Sequence, residues 1–105
     1  SEQQQQQAAI VFKSVMLTAA GEVSNAVFAY NTASEKILTR KSQLDNLRKS
    51  VDYTQQLVRY GFANYTEVLT AQQSLLTAEL NSINDHLQQL SAGVALYRSL
   101  GGGAN

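Results

Sequence analysis

The sequence has no cysteine, no proline and no tryptophan, a single histidine and only 15% charged residues, with eight Lys and Arg balanced by eight Asp and Glu. Without cysteine there is no disulfide framework, no thiolate zinc site and no cysteine nucleophile, and one histidine cannot make a histidine-rich metal site. No metal or cofactor is therefore expected. A formal net charge of zero denies the chain the surplus of Lys and Arg that neutralises phosphates, so nucleic acid is not an expected partner. The longest apolar run is five residues, Ala8 to Phe12, against roughly 20 for a membrane-spanning helix, so no segment is expected to cross a bilayer as a helix. Ser1 and Glu2 followed by five glutamines lack a basic n-region and an apolar h-region, so no signal peptide is expected within these residues. The length allows one small domain at most, either cytosolic or cut from a longer protein.

What is present is helical pattern. Residues 1–60 contain one glycine, Gly21, and are rich in Ala, Gln, Leu, Lys and Ser, which favours one uninterrupted helix over about 3–59. Steps of seven from Ala9 land on Met16, Val23, Tyr30, Ile37, Leu44, Val51 and Val58, all apolar. Phe12, Ala19, Ala26, Ala33, Arg40, Leu47 and Thr54 follow three residues behind, giving the 3-4 spacing of a coiled-coil seam that winds left-handedly. The run breaks at residues 60–64, where Gly61 can take a positive φ. Asn64 or Thr66 can then cap a second helix over about 65–99, with Glu67 favourably placed in its first turn. Its apolar residues step through Leu69, Leu76, Ile83, Leu90 and Tyr97, accompanied by Leu80, Leu87 and Val94, and a second stripe of Val68, Ala71, Leu75 and Ala78 lies beside them. Gly101, Gly102 and Gly103 end the pattern, so 101–105 reads as a flexible tail.

A short turn between two such helices makes them antiparallel. The expected fold class is all-α, a long helical hairpin over residues 1–100. At ~1.5 Å per residue the helices would run roughly 80–85 Å and 50 Å, leaving about twenty N-terminal residues without a partner in this chain. Residues 36–59 carry net +4 and residues 60–90 net −3, so opposite charges are expected to set the register of the pair, although exposed pairs are worth at most ~1 kcal/mol each. Two helices cannot enclose a core, so further helices are required.

Little here can do covalent chemistry. His86 stands alone, with Asp85 about 100° away around a helix, which is no triad, and it reads as an ordinary polar helix residue. The glycines at 101–103 follow no strand and are not a phosphate cradle. Gln3 to Gln7 read as a neutral solvated helix end, and Tyr30 and Tyr97 fall on seams as core residues do. No enzyme is visible. Tyr60, Phe62 and Tyr65 differ because they cluster at the turn, where nothing in the hairpin can bury them, and aromatics at an element tip mark a contact surface.

The stretch Arg59-Tyr60-Gly61-Phe62-Ala63-Asn64-Tyr65-Thr66-Glu67-Val68-Leu69-Thr70-Ala71-Gln72-Gln73-Ser74-Leu75-Leu76 resembles the tip of the second helical hairpin in the TolC family of outer-membrane efflux proteins. The closing Val94-Ala95-Leu96-Tyr97-Arg98-Ser99-Leu100-Gly101-Gly102-Gly103 is similar to that family's Leu-Tyr-Lys/Arg-Ala-Leu-Gly-Gly-Gly ending, especially in its factor-lipoprotein branch, and Glu22, Val23 and Ala26 match its upstream Glu-Val-x-x-Ala helix. The resemblance implies the C-terminal part of a homotrimeric channel of the outer membrane, with this segment in a periplasmic α-helical barrel and any membrane contact made by parts of the parent outside it. It implies a periplasmic adaptor, or membrane fusion protein, docking on Arg59, Tyr60, Gly61, Phe62, Ala63, Asn64 and Tyr65, and an inner-membrane pump as an indirect partner. Glu67 matches the first acidic residue of the family's closed pore end and Thr70 stands where the second would be, so these two would gate and select. The function expected is that of a channel component in tripartite efflux or type I secretion. The competing class is a self-assembling coiled-coil module with no transport role; a soluble helical enzyme would need titratable groups from outside this chain.

Overall fold

A computed structural model describes residues 1–101 of the chain. Two helices, α1 over Glu2–Arg59 and α2 over Tyr65–Ser99, form a hairpin whose long axis extends 89 Å. The absence of proline lets both run unbroken. The expected tail is described only at Gly101, which closes α2 in a turn with φ +83°; residues 102–105 lie outside the described residues.

The seam of α1 is the one its heptads predict. Ala26, Ala33 and Leu44 are buried and Val23, Ile37, Arg40, Leu47, Val51, Thr54 and Val58 half-buried. Before Val23 every residue is exposed, including Ile10, Val11, Phe12, Val15, Met16 and Leu17, so the uncovered N-terminal third is as expected. One 18-residue window of α1 near its N-terminus has a mean hydropathy of 1.2, so by length and composition this helix passes as a membrane span. Run length does not register this window, because apolar residues spread over several faces raise the average without ever forming a long run.

In α2 the two stripes exchange roles. Leu69, Leu76, Leu80, Ile83, Leu87, Leu90, Val94 and Tyr97, expected to form the seam, are all exposed. The side against α1 is the other stripe, where steps of seven through Val68, Leu75, Ser82, Gln89 and Leu96 alternate with Ala71, Ala78, Asp85, Ala92 and Ser99, all buried or half-buried. The physical reason is size. Ala26 and Ala33 on α1 let another helix come close, and close approach suits the face bearing Ala71, Ala78 and Ala92 better than a ridge of leucines, since close-packed cores tolerate little surplus volume. Tyr97 therefore points outward and Tyr30 stays 39% exposed, its ring packed over Gly93, whose absent Cβ would lie 3.8 Å from it.

The charge segregation converges on one ion pair between the helices among the described residues. Arg40 Nε donates to Asp85 Oδ2 at 2.9 Å, and the contact is not an exposed one as expected, because the Asp85 side chain is 4% exposed. Gln43 Oε1 accepts from Arg40 Nη1 at 2.8 Å. Close by, Lys36 Nζ donates to Gln88 Oε1 at 3.4 Å and Gln89 Nε2 to Ser34 Oγ at 3.0 Å.

Candidate docking tip

The turn is built by a glycine and an asparagine. Tyr60 ends α1 with φ −93° and ψ 4°, and Gly61 follows at φ +81°, a conformation that costs a glycine little and any residue with a Cβ more. The Gly61 amide donates to the Val58 carbonyl at 3.0 Å and the Phe62 amide to that of Leu57 at 2.8 Å, which together make a Schellman motif that satisfies carbonyls a helix end leaves orphaned. Three residues later Asn64 adopts extended backbone and caps α2, its Oδ1 accepting from the Glu67 amide at 3.3 Å. Of the two caps the sequence allows, the structure uses Asn64.

This geometry brings the predicted tip residues to one end of the molecule. Tyr60, Phe62 and Tyr65 are 72%, 81% and 63% exposed, Arg59 and Asn64 are exposed, and Ala63 is half-buried, tucked between the helix ends. Arg59 lies in the last turn of α1 and Glu67 in the first turn of α2, so each charge opposes the partial charge of its own helix terminus. Glu67 and Thr70 are exposed on α2, while Val68 and Ala71 turn toward α1; the Thr70 hydroxyl donates to the Thr66 carbonyl at 3.1 Å. The tip can offer rigid aromatic surface and one carboxylate per chain. It holds no nucleophile and base pair, and His86, down the shaft, donates its Nδ1 proton to the Ser82 carbonyl at 2.8 Å on the exposed surface of α2.

Sequence reasoning missed Asp85 as a seam residue and treated it as a surface charge. Its signal was available, for Asp85 keeps step with Ala71, Ala78 and Ala92 at intervals of seven.

The family model described as "Outer membrane efflux protein" matches residues 1–102. Among curated relatives, the solvent efflux pump outer membrane protein SrpC of Pseudomonas putida is 33% identical over 86 residues, 82% of this chain and 18% of the relative. The toluene efflux pump outer membrane protein TtgF, also of Pseudomonas putida, is 35% identical over the same share of each. The antibiotic efflux pump outer membrane protein ArpC of Pseudomonas putida is 33% identical over 95 residues, 88% of this chain and 19% of the relative. The chain thus spans about a fifth of the length of the curated relatives it matches, and no solved structure matches it significantly. With a matched model that runs through both helices and the tip between them, the chain belongs to the outer membrane efflux protein family.

Proposed function

We propose that this hairpin is the periplasmic tip of the channel component of a tripartite efflux or type I secretion system, seated in the outer membrane through the rest of the parent. The observation that carries the reading is the cluster of Tyr60, Phe62 and Tyr65, held in solvent at the end of an 89 Å hairpin in a chain of an efflux family. Aromatic side chains on a rigid turn lose little entropy when a partner buries them, and such residues dominate the energetics of contact surfaces. The partner is the hairpin of a periplasmic adaptor, which links the channel to an inner-membrane pump. In the homotrimer, symmetry repeats Glu67 three times around the pore, so the carboxylates form a ring that attracts cations while Thr70 adds no charge. Membership of the efflux family favours this reading over a self-assembling module without a pore.

The test uses the lack of cysteine in these residues. A single cysteine replacing Phe62 or Asn64 in the full-length protein, probed in cells, is expected to cross-link to the adaptor, while one replacing Asn46, exposed on the shaft, is not. Equal labelling at tip and shaft, or none at either tip position in correctly located protein, overturns the docking role.

A further inference from the structure

The buried Asp85 has no part in docking or gating, yet it occupies a seam position where alanines precede and follow it at intervals of seven. The register that joins it to Arg40 fixes every other level of the hairpin. Continued along both helices, it sets Ala33 level with Ala92 and Ala26 with Ser99, pairs that line common grooves, and Leu47 level with Ala78. Slipping α2 by one heptad in either direction keeps a seam of small and apolar residues, because the repeat of each helix is nearly uniform. The change falls on the polar groups. Asp85 would then lie level with Ala33 or with Leu47, and Arg40 with Ala92 or Ala78, so a carboxylate would be buried with no partner, which is strongly unfavourable. The ion pair discriminates among these alignments, the role a lone polar group plays in fixing coiled-coil register.

A heptad slip between two helices joined by one turn displaces the turn by half a heptad. It would carry Gly61 and Asn64 away from the positions where their positive φ and capping oxygen are used. We propose that Arg40 and Asp85, with Gln43 steadying the guanidinium, are positioning residues that select one register of the hairpin and thereby determine that residues 60–64 form its tip. The pair acts from mid-shaft, through the alignment of the helices. This holds whatever the tip binds, and its test does not read docking.

Cysteine pairs report register in the full-length protein. Lys36→Cys with Gln88→Cys joins side chains that meet in the native alignment, whereas Lys36→Cys with Asn81→Cys or with Ala95→Cys meets only after a heptad slip. A short thiol-specific bifunctional reagent reads each pair. With Arg40 and Asp85 in place, the native pair alone is expected to link. In Arg40→Leu/Asp85→Leu, which removes the charges and leaves no buried one unpaired, the native link is expected to fall at least threefold and a slipped link to appear. The exchanged pair Arg40→Asp/Asp85→Arg is expected to restore the native link. An undiminished native link in the double-leucine variant overturns the proposal, showing that the turn and apolar packing suffice. If the double-leucine variant links at neither pair, the exchanged pair decides: recovery of the native link supports the proposal and its absence overturns it.

Discussion

The outward faces of the two helices contrast. From Asn31 to Gln56 the exposed side of α1 is Glu, Asp, Lys, Arg, Ser, Thr, Asn and Gln, interrupted among large apolar residues by Leu38 and Tyr53 alone. On α2 the exposed side carries Leu76, Leu80, Ile83, Leu87, Leu90, Val94 and Tyr97, spaced alternately by four and three and between 42% and 64% exposed. Over that stretch α1 has a seam and a solvated back; α2 has two apolar stripes back to back. A helix apolar on opposite sides is built to sit between two neighbours, and here only one of them lies within the chain. The small-residue seam of α2 is used for close approach inside the hairpin, and its leucine stripe stays exposed in this chain. The difference separates what the hairpin needs in order to form from what it needs in order to assemble.

Charges on the two backs should break this contrast most visibly. Ile83→Glu/Leu87→Glu in the full-length protein removes two side chains whose burial is worth about 1.5–3 kcal/mol each, so subunit association measured in detergent solution should weaken at least tenfold, about 1.4 kcal/mol per factor of ten. Asn46→Glu on the back of α1 should leave it unchanged. Equal losses from the two would mean that the apolar back of α2 is not an assembly surface. A smaller effect sharpens the inner boundary. Ala78→Leu forces volume into the closed seam, where Ala78 is 3% exposed, and should cost about 1–3 kcal/mol of hairpin stability, read as lost hydrogen-exchange protection along α2. Leu80→Ala, two residues away on the open side, should change the same protection by less than about 0.5 kcal/mol. Were Leu80→Ala the costlier, the assignment of the two faces would be reversed.

The same contrast explains how much of the molecule could be read from its sequence. The hairpin, the turn at Gly61, both helix lengths and the uncovered N-terminal third follow from glycine placement and heptad spacing, which are local signals. The seam of α1 was legible because it is the helix's one continuous apolar repeat between residues 23 and 58. For α2 the repeat was legible and its direction was not: periodicity gives the angular position of a stripe on its own helix and contains nothing about the partner. Size matching decides that, and the alanines at 26 and 33 call for Ala78 and Ala92 where hydrophobicity alone favours Leu76 and Ile83. Asp85 was lost for the same reason, since a carboxylate counts as exposed until an Arg40 on the other helix is known to reach it. At the tip, the aromatic cluster was legible from composition and the choice of Asn64 as cap only from backbone geometry.

The most local effects belong to the tip, where neither face of the shaft is touched. Gly61→Ala should cost about 1–2 kcal/mol because its Cβ meets nothing within 4 Å while φ is +81°, leaving only the left-handed backbone to resist it. Asn64→Ala, which removes the acceptor for the Glu67 amide, should cost about 1 kcal/mol. Gly61→Ala should appear as faster exchange at the Gly61 and Phe62 amides and in the last turn of α1, and Asn64→Ala as faster exchange in the first turn of α2, with the ion pair and both seams intact. Glu67→Ala is subtler. It keeps the cap and the seam, takes one carboxylate from the first turn of α2, and in the trimer proposed above takes three from the pore. Bilayer recordings of the full-length channel should then show weaker cation preference, and Glu67→Lys should carry the change further toward anions, because a ring of like charges sets the sign of the local potential that a permeating ion meets. Unchanged selectivity in both variants would place Glu67 away from the pore and overturn its gating role.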